Sequence, residues 1–280
     1  MFRVHPNRAG AFADSGTVYN PMGDIVSSCC ADLDATISDS YSGTGQTWAN
    51  IETTPADSAA QTDYDFHLGA SGTATTDDPT FTGTAGTSNA YWAMDGGDHF
   101  EIKSYTATQS VPYHMHRTDT SKPWWFAICV YIPAGAKRGF FGNGYVSGDT
   151  GTYLWHDEAG GVWYVPCATA LDSYNLTSDS ITASTPTCVI VSGNNSLTTN
   201  NLKSWHNTKT GTTYSKTWTA NTANPSLNFC VGAASTTTAY DQMLNGSRLY
   251  AWSCGNEVLD DTKAGLIIDE YNTRHNRTYA

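Results

Sequence analysis

Acidic side chains at short spacing are the first residues in this sequence that could carry chemistry. A retaining glycosidase holds its acid and its nucleophile about 5–5.5 Å apart, and a Glu-x-Asp-x-x-Glu motif on a strand would supply that separation. The sequence contains no such motif. Asp157 and Glu158 precede two glycines and indicate a turn, whereas Glu257, Asp260 and Asp261 indicate the beginning of a helix. We therefore predict that the chain is not an enzyme, and a glucanase-type glycoside hydrolase remains the lesser alternative.

Metal chemistry has two candidate positions. His114 and His116 would lie on one face of an extended segment as a pair of metal ligands, but no third ligand lies near them in the sequence. Acidic loops, such as the one with Asp95 and Asp98, carry the oxygen atoms that Ca²⁺ prefers, although turn formation explains the same residues. We expect no cofactor and no metal site, with Ca²⁺ as the one ion left open.

Aromatic residues flank a glycine-rich turn at Trp155 and at Trp163-Tyr164. Adjacent side chains of a strand point to opposite faces of the sheet. Trp155, Trp163 and Tyr164 are therefore candidates for stacking on a sugar ring, and packing in the core is the alternative for each of them.

The cysteines fall into two groups. Cys29 and Cys30 are neighbours in a polar segment, and the odd count of 7 cysteines leaves at least one thiol unpaired within the chain. A bond between the two neighbours is disfavoured because adjacent Cα atoms are only about 3.8 Å apart. We predict a disulfide from Cys29 or Cys30 to another chain, formed after release into an oxidising medium, with two free thiols as the alternative. Four other cysteines lie in apolar runs and are predicted to pack as small hydrophobic residues: Cys129, Cys188, Cys230 and Cys254.

Charge and composition exclude several partners. The net charge is −12, which would repel a phosphate backbone, so nucleic acid is not an expected partner. Residues 1–8 lack the apolar run of a signal peptide, and no stretch approaches the ~20 apolar residues of a membrane helix. We expect a protein made in a cytoplasm, with no membrane insertion; if it works outside the cell, it leaves by lysis or as part of a particle.

Strand signals dominate the sequence from about residue 90 onward. Residues 124–132 are apolar at both alternating sets of positions, which predicts a strand covered on both faces and central in its sheet. Residues 91–95 and 99–103 read as strands on either side of a Gly96-Gly97-Asp98 turn. Short strands at this spacing predict an all-β sandwich of two antiparallel sheets.

The two ends of the chain differ from this pattern. Asp260 or Asp261 can cap a helix whose apolar positions recur at helical spacing, and we expect this short helix to close one edge of the sandwich. Residues 1–40 carry little periodicity and are predicted to form an extended arm for attachment or oligomerisation. The predicted domains are therefore the arm at 1–40 and the sandwich at 41–280.

Four segments, in this order, resemble the laminin-G-like, concanavalin A-like jelly-roll family. Residues 91–102 resemble its opening hairpin, 124–132 its central buried strand, 227–232 a late strand ending in glycine, and 245–252 its final strand before the closing helix. The sequence departs from the family at residues 205–208, which replace a usual Asn-Gly hairpin. No calcium-site pattern can be carried over residue by residue.

Residues 40–81, with the runs at 43–50 and 76–81, resemble members of this family in tailed bacteriophages. This resemblance implies a non-enzymatic virion structural protein, as a head decoration or a tail or fibre module, that mediates assembly or surface adhesion. The implied location is the virion, with other virion proteins as partners, a homo-oligomeric state, and host-surface glycans as a further partner. A carbohydrate-binding, lectin-like module is the alternative function.

Overall fold

The computed structural model describes residues 19–103, 108–120, 122–135, 138–144, 150–156, 161–167, 174–176, 181–197, 199–218, 221–225, 227–234 and 242–279. Strands predominate among them. The strands are β1 (Cys29–Asp34), β2 (Thr47–Trp48), β3 (Phe66–Leu68), β4 (Thr80–Thr82), β5 (Tyr91–Met94), β6 (Phe100–Ile102), β7 (Trp124–Tyr131), β8 (Arg138–Gly142), β9 (Gly151–His156), β10 (Val162–Cys167), β11 (Tyr174–Asn175), β12 (Pro186–Gly193), β13 (Leu202–His206), β14 (Thr212–Tyr214), β15 (Cys230–Val231) and β16 (Ser247–Gly255). The helices are α1 (Met22–Ile25), α2 (Val111–His114) and α3 (Asp261–His275), and a 3-10 turn spans Gln61–Tyr64.

The strands form two antiparallel sheets. Sheet A has the order β14-β13-β12-β7-β16-β5-β4, and β1 also pairs with β16. Sheet B has the order β11-β10-β9-β8-β15-β6-β3-β2. The predicted all-β fold of two antiparallel sheets with a C-terminal helix is confirmed.

Strand β7 shows how the sequence pattern produces the layers. Its alternate residues Trp124, Phe126 and Ile128 face the core between the sheets. The intervening residues, including Trp125 and Ala127, face a second apolar cluster on the outer side of sheet A. Because both faces are covered, every position can be apolar, and β7 lies between β12 and β16 as the sequence predicts.

Helix α3 covers the outer face of sheet A. The Asp260 side chain accepts a hydrogen bond from the backbone N–H of Lys263, which confirms Asp260 as the N-cap. The buried side of the helix, with Ile267, Ile268 and Tyr271, packs into the second cluster with residues of β7, β12 and β16. The helix therefore lies across the face of sheet A rather than at its edge, which corrects the predicted position.

A buried group of charged residues joins α3 to β1. The guanidinium of Arg274 donates to Asp32 at 3.0 Å, to Asp34 at 3.4 Å and to Glu270 at 2.9 Å. His275 lies 3.2 Å from Asp34. Burial by itself would raise the pKa of Asp34, but His275 and Arg274 together lower it to about 2. The carboxylate of Asp34 therefore remains ionised in the interior because the Arg274 guanidinium and the His275 ring both face it.

The N-terminal part of the described chain belongs to the sandwich. Strand β1 is buried along its whole length and pairs with the second half of β16, from Ala251 to Gly255. The preceding helix α1 buries Met22 in the cluster beneath α3. This corrects the predicted arm, because residues 19–40 are integral to the fold. Residues 1–18 of that arm lie outside the described residues.

The Gly96-Gly97-Asp98 turn links the two sheets. Strand β5 pairs with β4 and β16 in sheet A, whereas β6 pairs with β3 and β15 in sheet B. Gly96 has a φ of 100°, which favours glycine over any residue with a side chain. The predicted turn is confirmed, but it joins two layers and does not close a hairpin.

Candidate functional site

Two tryptophans stack on the outer face of sheet B. Trp163 of β10 is directly opposite Trp155 of β9, and their ring centroids are 5.7 Å apart with planes inclined by 20°. Both side chains are partly exposed, whereas their strand neighbours Leu154 and Tyr164 are buried in the core. Alternation along the strands thus places the pair on the side away from the core. The result is an apolar, nearly parallel pair of rings at the protein surface.

Glycines lie beside the aromatic residues on this face. Gly139 of β8 is opposite Trp155, and Gly142 is opposite Tyr153, which is next on the same face of β9. A Cβ atom at residue 142 would lie 2.5 Å from the Cβ of Tyr153 and 2.3 Å from the carbonyl oxygen of Ala234. The lack of a side chain at 142 therefore allows Tyr153 to pack closely beside the tryptophan pair.

Polar groups occupy the other half of the same face. Glu101 of β6 is opposite Cys230 of β15, and Cys230 is opposite Gly142 of β8. Gly142 is in turn opposite Tyr153 of β9, so Glu101 lies three strands from Tyr153. The amide of Asn228 donates a hydrogen bond to the Glu101 carboxylate. Since neighbouring strands are about 4.8 Å apart, the backbone of Glu101 lies roughly 14 Å from that of Tyr153. Between them Cys230 is fully buried and the carbonyl oxygen of Ala234 lies over Gly142, so the polar pair and the tryptophan pair are separate parts of the outer side of sheet B.

Tyr164 faces the core, which corrects its prediction as a stacking residue. Its side chain is fully buried, and its ring lies 5.0 Å from that of Trp124. Its hydroxyl donates a hydrogen bond of 3.1 Å to the carbonyl oxygen of Met115. A sugar ring cannot reach this side chain in the folded protein, so of the three candidates only Trp155 and Trp163 lie at the surface.

Cys29 and Cys30 are both buried, which corrects the predicted disulfide to another chain. Their side chains are 1% and 0% exposed in β1. The thiol of Cys29 donates to the carbonyl oxygen of Ala31, and the thiol of Cys30 donates to that of Ser28. Burial raises the pKa of both thiols above the ordinary value. Neither sulfur can reach a second molecule while β1 remains paired with β16.

The candidate metal ligands do not come together. His114 ends helix α2, so it and His116 do not lie on one face of an extended segment, and both are buried. Among the described residues, no group of three or more histidine, cysteine, aspartate or glutamate side chains could hold a metal ion. Within the same part of the chain, no helix is long and apolar enough to cross a membrane.

Asp98 is a buried carboxyl at the turn between the two sheets. It is 2% exposed, and it accepts a hydrogen bond of 2.7 Å from the backbone N–H of Asp95. Burial raises its pKa to about 7, and the charges of Asp95 and Asp77 contribute to the increase. Because an unfolded aspartate titrates near pH 4, ionising Asp98 near neutral pH opposes folding.

Replacing Asp98 with asparagine is expected to stabilise the protein at pH 8. The amide oxygen keeps the hydrogen bond from Asp95, and the buried charge is removed. The contribution of a carboxyl with a raised pKa is fully present below pH 4 and is lost as the pH rises through 7. The variant should therefore gain about 1–3 kcal/mol at pH 8 and almost nothing at pH 4.

Urea unfolding of wild type and variant at pH 4 and pH 8 measures this difference. Asp24→Asn, which removes an exposed charge outside this turn, serves as the control and should change stability much less. Equal effects of Asp98→Asn at both pH values would contradict the assigned pKa.

Sequence reasoning did not predict the surface cleft beside helix α2. It has a volume of about 330 Å³ and is lined in part by Tyr113, His114, Arg117 and Lys122. The guanidinium of Arg117 is held by both carboxylate oxygens of Asp119, at 3.0 Å and 2.7 Å. Its signal in the sequence is the His114-Met115-His116-Arg117 run, of which His114 and Arg117 line the cleft.

Comparison with solved structures identifies proteins of similar fold. A sialidase from Trypanosoma rangeli in complex with the inhibitor DANA aligns with a TM-score of 0.51 at 10% identity, over 85% of this chain and 32% of that chain. The same sialidase in complex with sialic acid gives 0.50 at 10% identity, over 90% and 34%. A CBM40 of a Ruminococcus gnavus IT-sialidase, bound to α2,3-sialyllactose, gives 0.45 at 12% identity, over 63% and 96%. No family model and no curated protein matches the sequence.

The sialidase alignments place this chain in a structural class. At 10% identity they establish the fold and nothing more, and the chain spans about a third of the length of the sialidase. The described residues form an all-β, jelly-roll-like sandwich with the Trp155–Trp163 pair on the outer face of sheet B.

Proposed function

We propose that this chain is a non-catalytic, glycan-binding β-sandwich module of the laminin-G-like, concanavalin A-like type. The stacked, partly exposed Trp155–Trp163 pair on the outer face of sheet B is the observation that carries the proposal. The C–H faces of a sugar ring are apolar, and flat aromatic rings at a surface bind such faces in the way that they stack on other flat ligands.

Polar groups also lie on the outer side of sheet B, separated from the tryptophan pair by the buried Cys230 and the covered Gly142. Glu101 and Asn228 supply a carboxylate and an amide on the same face, and both groups form hydrogen bonds with hydroxyls readily. The stacked rings supply the apolar contact of the proposed site, and Glu101 and Asn228 are polar groups for a second contact on the same side of the sheet.

The net charge of −12 favours neutral sugars over anionic ones, because like charges repel. The sialidase of similar fold binds sialic acid, which is anionic, so sialylated and neutral forms of one oligosaccharide make the sharpest first comparison. Lactose and α2,3-sialyllactose differ by that one acidic sugar.

We predict that Trp155→Ala and Trp163→Ala each weaken glycan binding by about 10- to 100-fold, with the fold intact. An array of neutral and sialylated oligosaccharides identifies ligands, and calorimetric titration of the best ligand measures the change. Tyr214→Ala is the matched control, because Tyr214 is a partly exposed aromatic residue of sheet A. Binding that survives both tryptophan replacements, or an array with no ligand, would overturn the proposal.

The absence of catalysis remains part of the proposal. It is supported by the lack of a paired-carboxylate motif in the sequence, while Asp157 and Glu158 lie outside the described residues. Incubation with a β-glucan panel and with α2,3-sialyllactose, followed by an assay for released sugar, tests it. Hydrolysis above the buffer control would show an enzyme.

A place in a bacteriophage particle stays a prediction from sequence resemblance. A glycan-binding module on a head or tail would attach a particle to its host surface, so the two functions are compatible. Mass-spectrometric detection of the chain in purified particles tests the location, and absence from them would remove it.

A further inference from the structure

Two buried thiols face each other at the centre of sheet A. Cys129 of β7 is directly opposite Cys188 of β12 in the antiparallel register. Both side chains are fully buried, and both belong to the cluster between sheet A and helix α3. Residues directly opposite on antiparallel strands point to the same face, so the two sulfur atoms lie on the same side of the sheet.

The backbone hydrogen bonds of Cys188 show whether Cys129 and Cys188 form a hydrogen-bonded or a non-hydrogen-bonded pair of the antiparallel ladder. Its backbone N–H donates to the side-chain oxygen of Asn207 at 2.7 Å, and its carbonyl oxygen accepts from the backbone N–H of Asn207 at 3.0 Å. Both polar groups of Cys188 therefore point away from β7. In an antiparallel ladder this defines a pair that is not hydrogen-bonded, with Cα atoms about 4.5 Å apart and close side chains.

That spacing fits a disulfide. The bond requires Cα atoms about 4.4–6.8 Å apart and Cβ atoms about 3.5–4.5 Å apart. Directly opposite residues approach this Cβ separation only where the pair is not hydrogen-bonded. The register thus brings two thiols into bonding range with little movement of either strand.

We propose that Cys129 and Cys188 form a dithiol that a small disulfide oxidant converts into an intrachain disulfide between β7 and β12. With oxidised glutathione, one protein thiolate attacks the glutathione disulfide and releases one glutathione thiolate. The second protein thiolate then attacks the mixed disulfide and releases the other. Two protein thiols lose two protons and two electrons, and one oxidised glutathione becomes two reduced molecules.

The position beneath α3 controls the rate of this reaction. Burial raises the pKa of Cys129 well above its ordinary value, and the thiol of Cys188 beside it adds to the effect. The Cys129 thiolate is therefore scarce, and because both buried thiols lie beneath the docked helix, exchange with glutathione requires α3 to open locally. The dithiol should persist in a reducing cytoplasm and should oxidise slowly after release.

A second close pair of thiols provides an internal comparison. Cys254 of β16 is opposite Ala31, and Cys30 occupies the irregular position between Cys29 and Ala31 in the same ladder. Cys30 and Cys254 are thus not opposite each other in register. The ladder geometry that favours a disulfide is present at Cys129 and Cys188 and absent at this pair.

The test uses the purified, reduced full chain incubated with oxidised glutathione at a temperature a few degrees below its unfolding midpoint. Intact mass should fall by about 2 Da, as expected for loss of two hydrogen atoms. Non-reducing peptide mapping should find the peptides of Cys129 and Cys188 linked, and the midpoint should rise by about 5–10 °C. Cys129→Ala and Cys188→Ala should each abolish the link, and Cys254→Ala should leave it in place.

Results that would overturn the proposal are equally definite. They are glutathione adducts without an intrachain link, a link between Cys30 and Cys254 in place of the expected one, or a full set of free thiols on denaturation after prolonged incubation. Because the linked peptide is sought in the wild-type protein, the test stands even where an alanine variant fails to fold.

Discussion

Replacing Arg274 with methionine is expected to lower the free energy of unfolding by about 3–5 kcal/mol. Arg274 is fully buried and is the shared partner of Asp32, Asp34 and Glu270. Methionine fills a similar length of the cavity but leaves these carboxylates without their guanidinium. A buried carboxylate without a partner is costly, because neither water nor a counter-charge compensates it.

Guanidinium unfolding at pH 7 measures the loss, with Lys209→Met as the matched control. Lys209 forms an ion pair with Asp269 of helix α3, which also carries Arg274, but the side chains of Lys209 and Asp269 are about half exposed. Exposed pairs contribute about 0–1 kcal/mol, so the control should stay close to wild type. Similar losses for the two variants would show that the buried group does not hold α3 to β1.

Acid provides a second readout of the same group. The pKa of Asp34 is about 2 in the folded protein and near 4 in an unfolded chain. A carboxylate with a depressed pKa contributes stability that is present above pH 4 and is lost as the pH falls toward 2. Wild type should therefore lose stability over this interval, and Arg274→Met should lose less because part of that contribution is already gone.

Tyr164→Ala is expected to cost about 3–5 kcal/mol of stability, while Trp163→Ala at the adjacent position should cost about 1–2 kcal/mol. Tyr164 is fully buried against Trp124, and its hydroxyl donates to the backbone of Met115. Its removal leaves a cavity in the core and a carbonyl without this donor. Trp163 lies on the outer face and is partly exposed, so water can occupy the space left by its ring.

The two variants form a matched pair, because each truncates an aromatic residue of the same strand to alanine. Urea unfolding at pH 7 gives both free energies, and near-ultraviolet circular dichroism reports whether the core packing survives. Equal costs, or a larger cost for Trp163→Ala, would place Trp163 in the core and would remove the basis for glycan stacking.

The sequence alone predicted the structural features that depend on neighbouring residues in the chain. Strand β7 is apolar at both alternating sets of positions, which predicted that both of its faces are buried. In the structure sheet B packs against one face and helix α3 against the other. Asp260 followed by helical periodicity located α3, and the apolar runs around Cys129 and Cys188 predicted their burial. Each of these inferences depends on residues within one strand or one turn of helix, which the chain order displays directly.

Strand β1 was missed because its partners are far away in the sequence. Asp32 and Asp34 give it the composition of a loop, and a charged residue in a buried strand is improbable until its counter-ion is known. That counter-ion is Arg274, about 240 positions later in the sequence, and the His275 ring lies 3.3 Å from the Asp34 carboxylate beside it. Only the packing of α3 against β1 brings these charges together.

The chemistry of the two candidate sites was decided by tertiary structure for the same reason. Strand alternation required Trp163 and Tyr164 to face opposite sides, but which of them faces solvent depends on how β10 pairs within sheet B. The composition revealed an odd number of cysteines, whereas only the register of β7 with β12 places Cys129 opposite Cys188. The sequence determined the all-β layers and the residues available to them, because periodicity is a local property. Strand pairing, which is a property of distant segments, decided which side chains meet and which reach the surface.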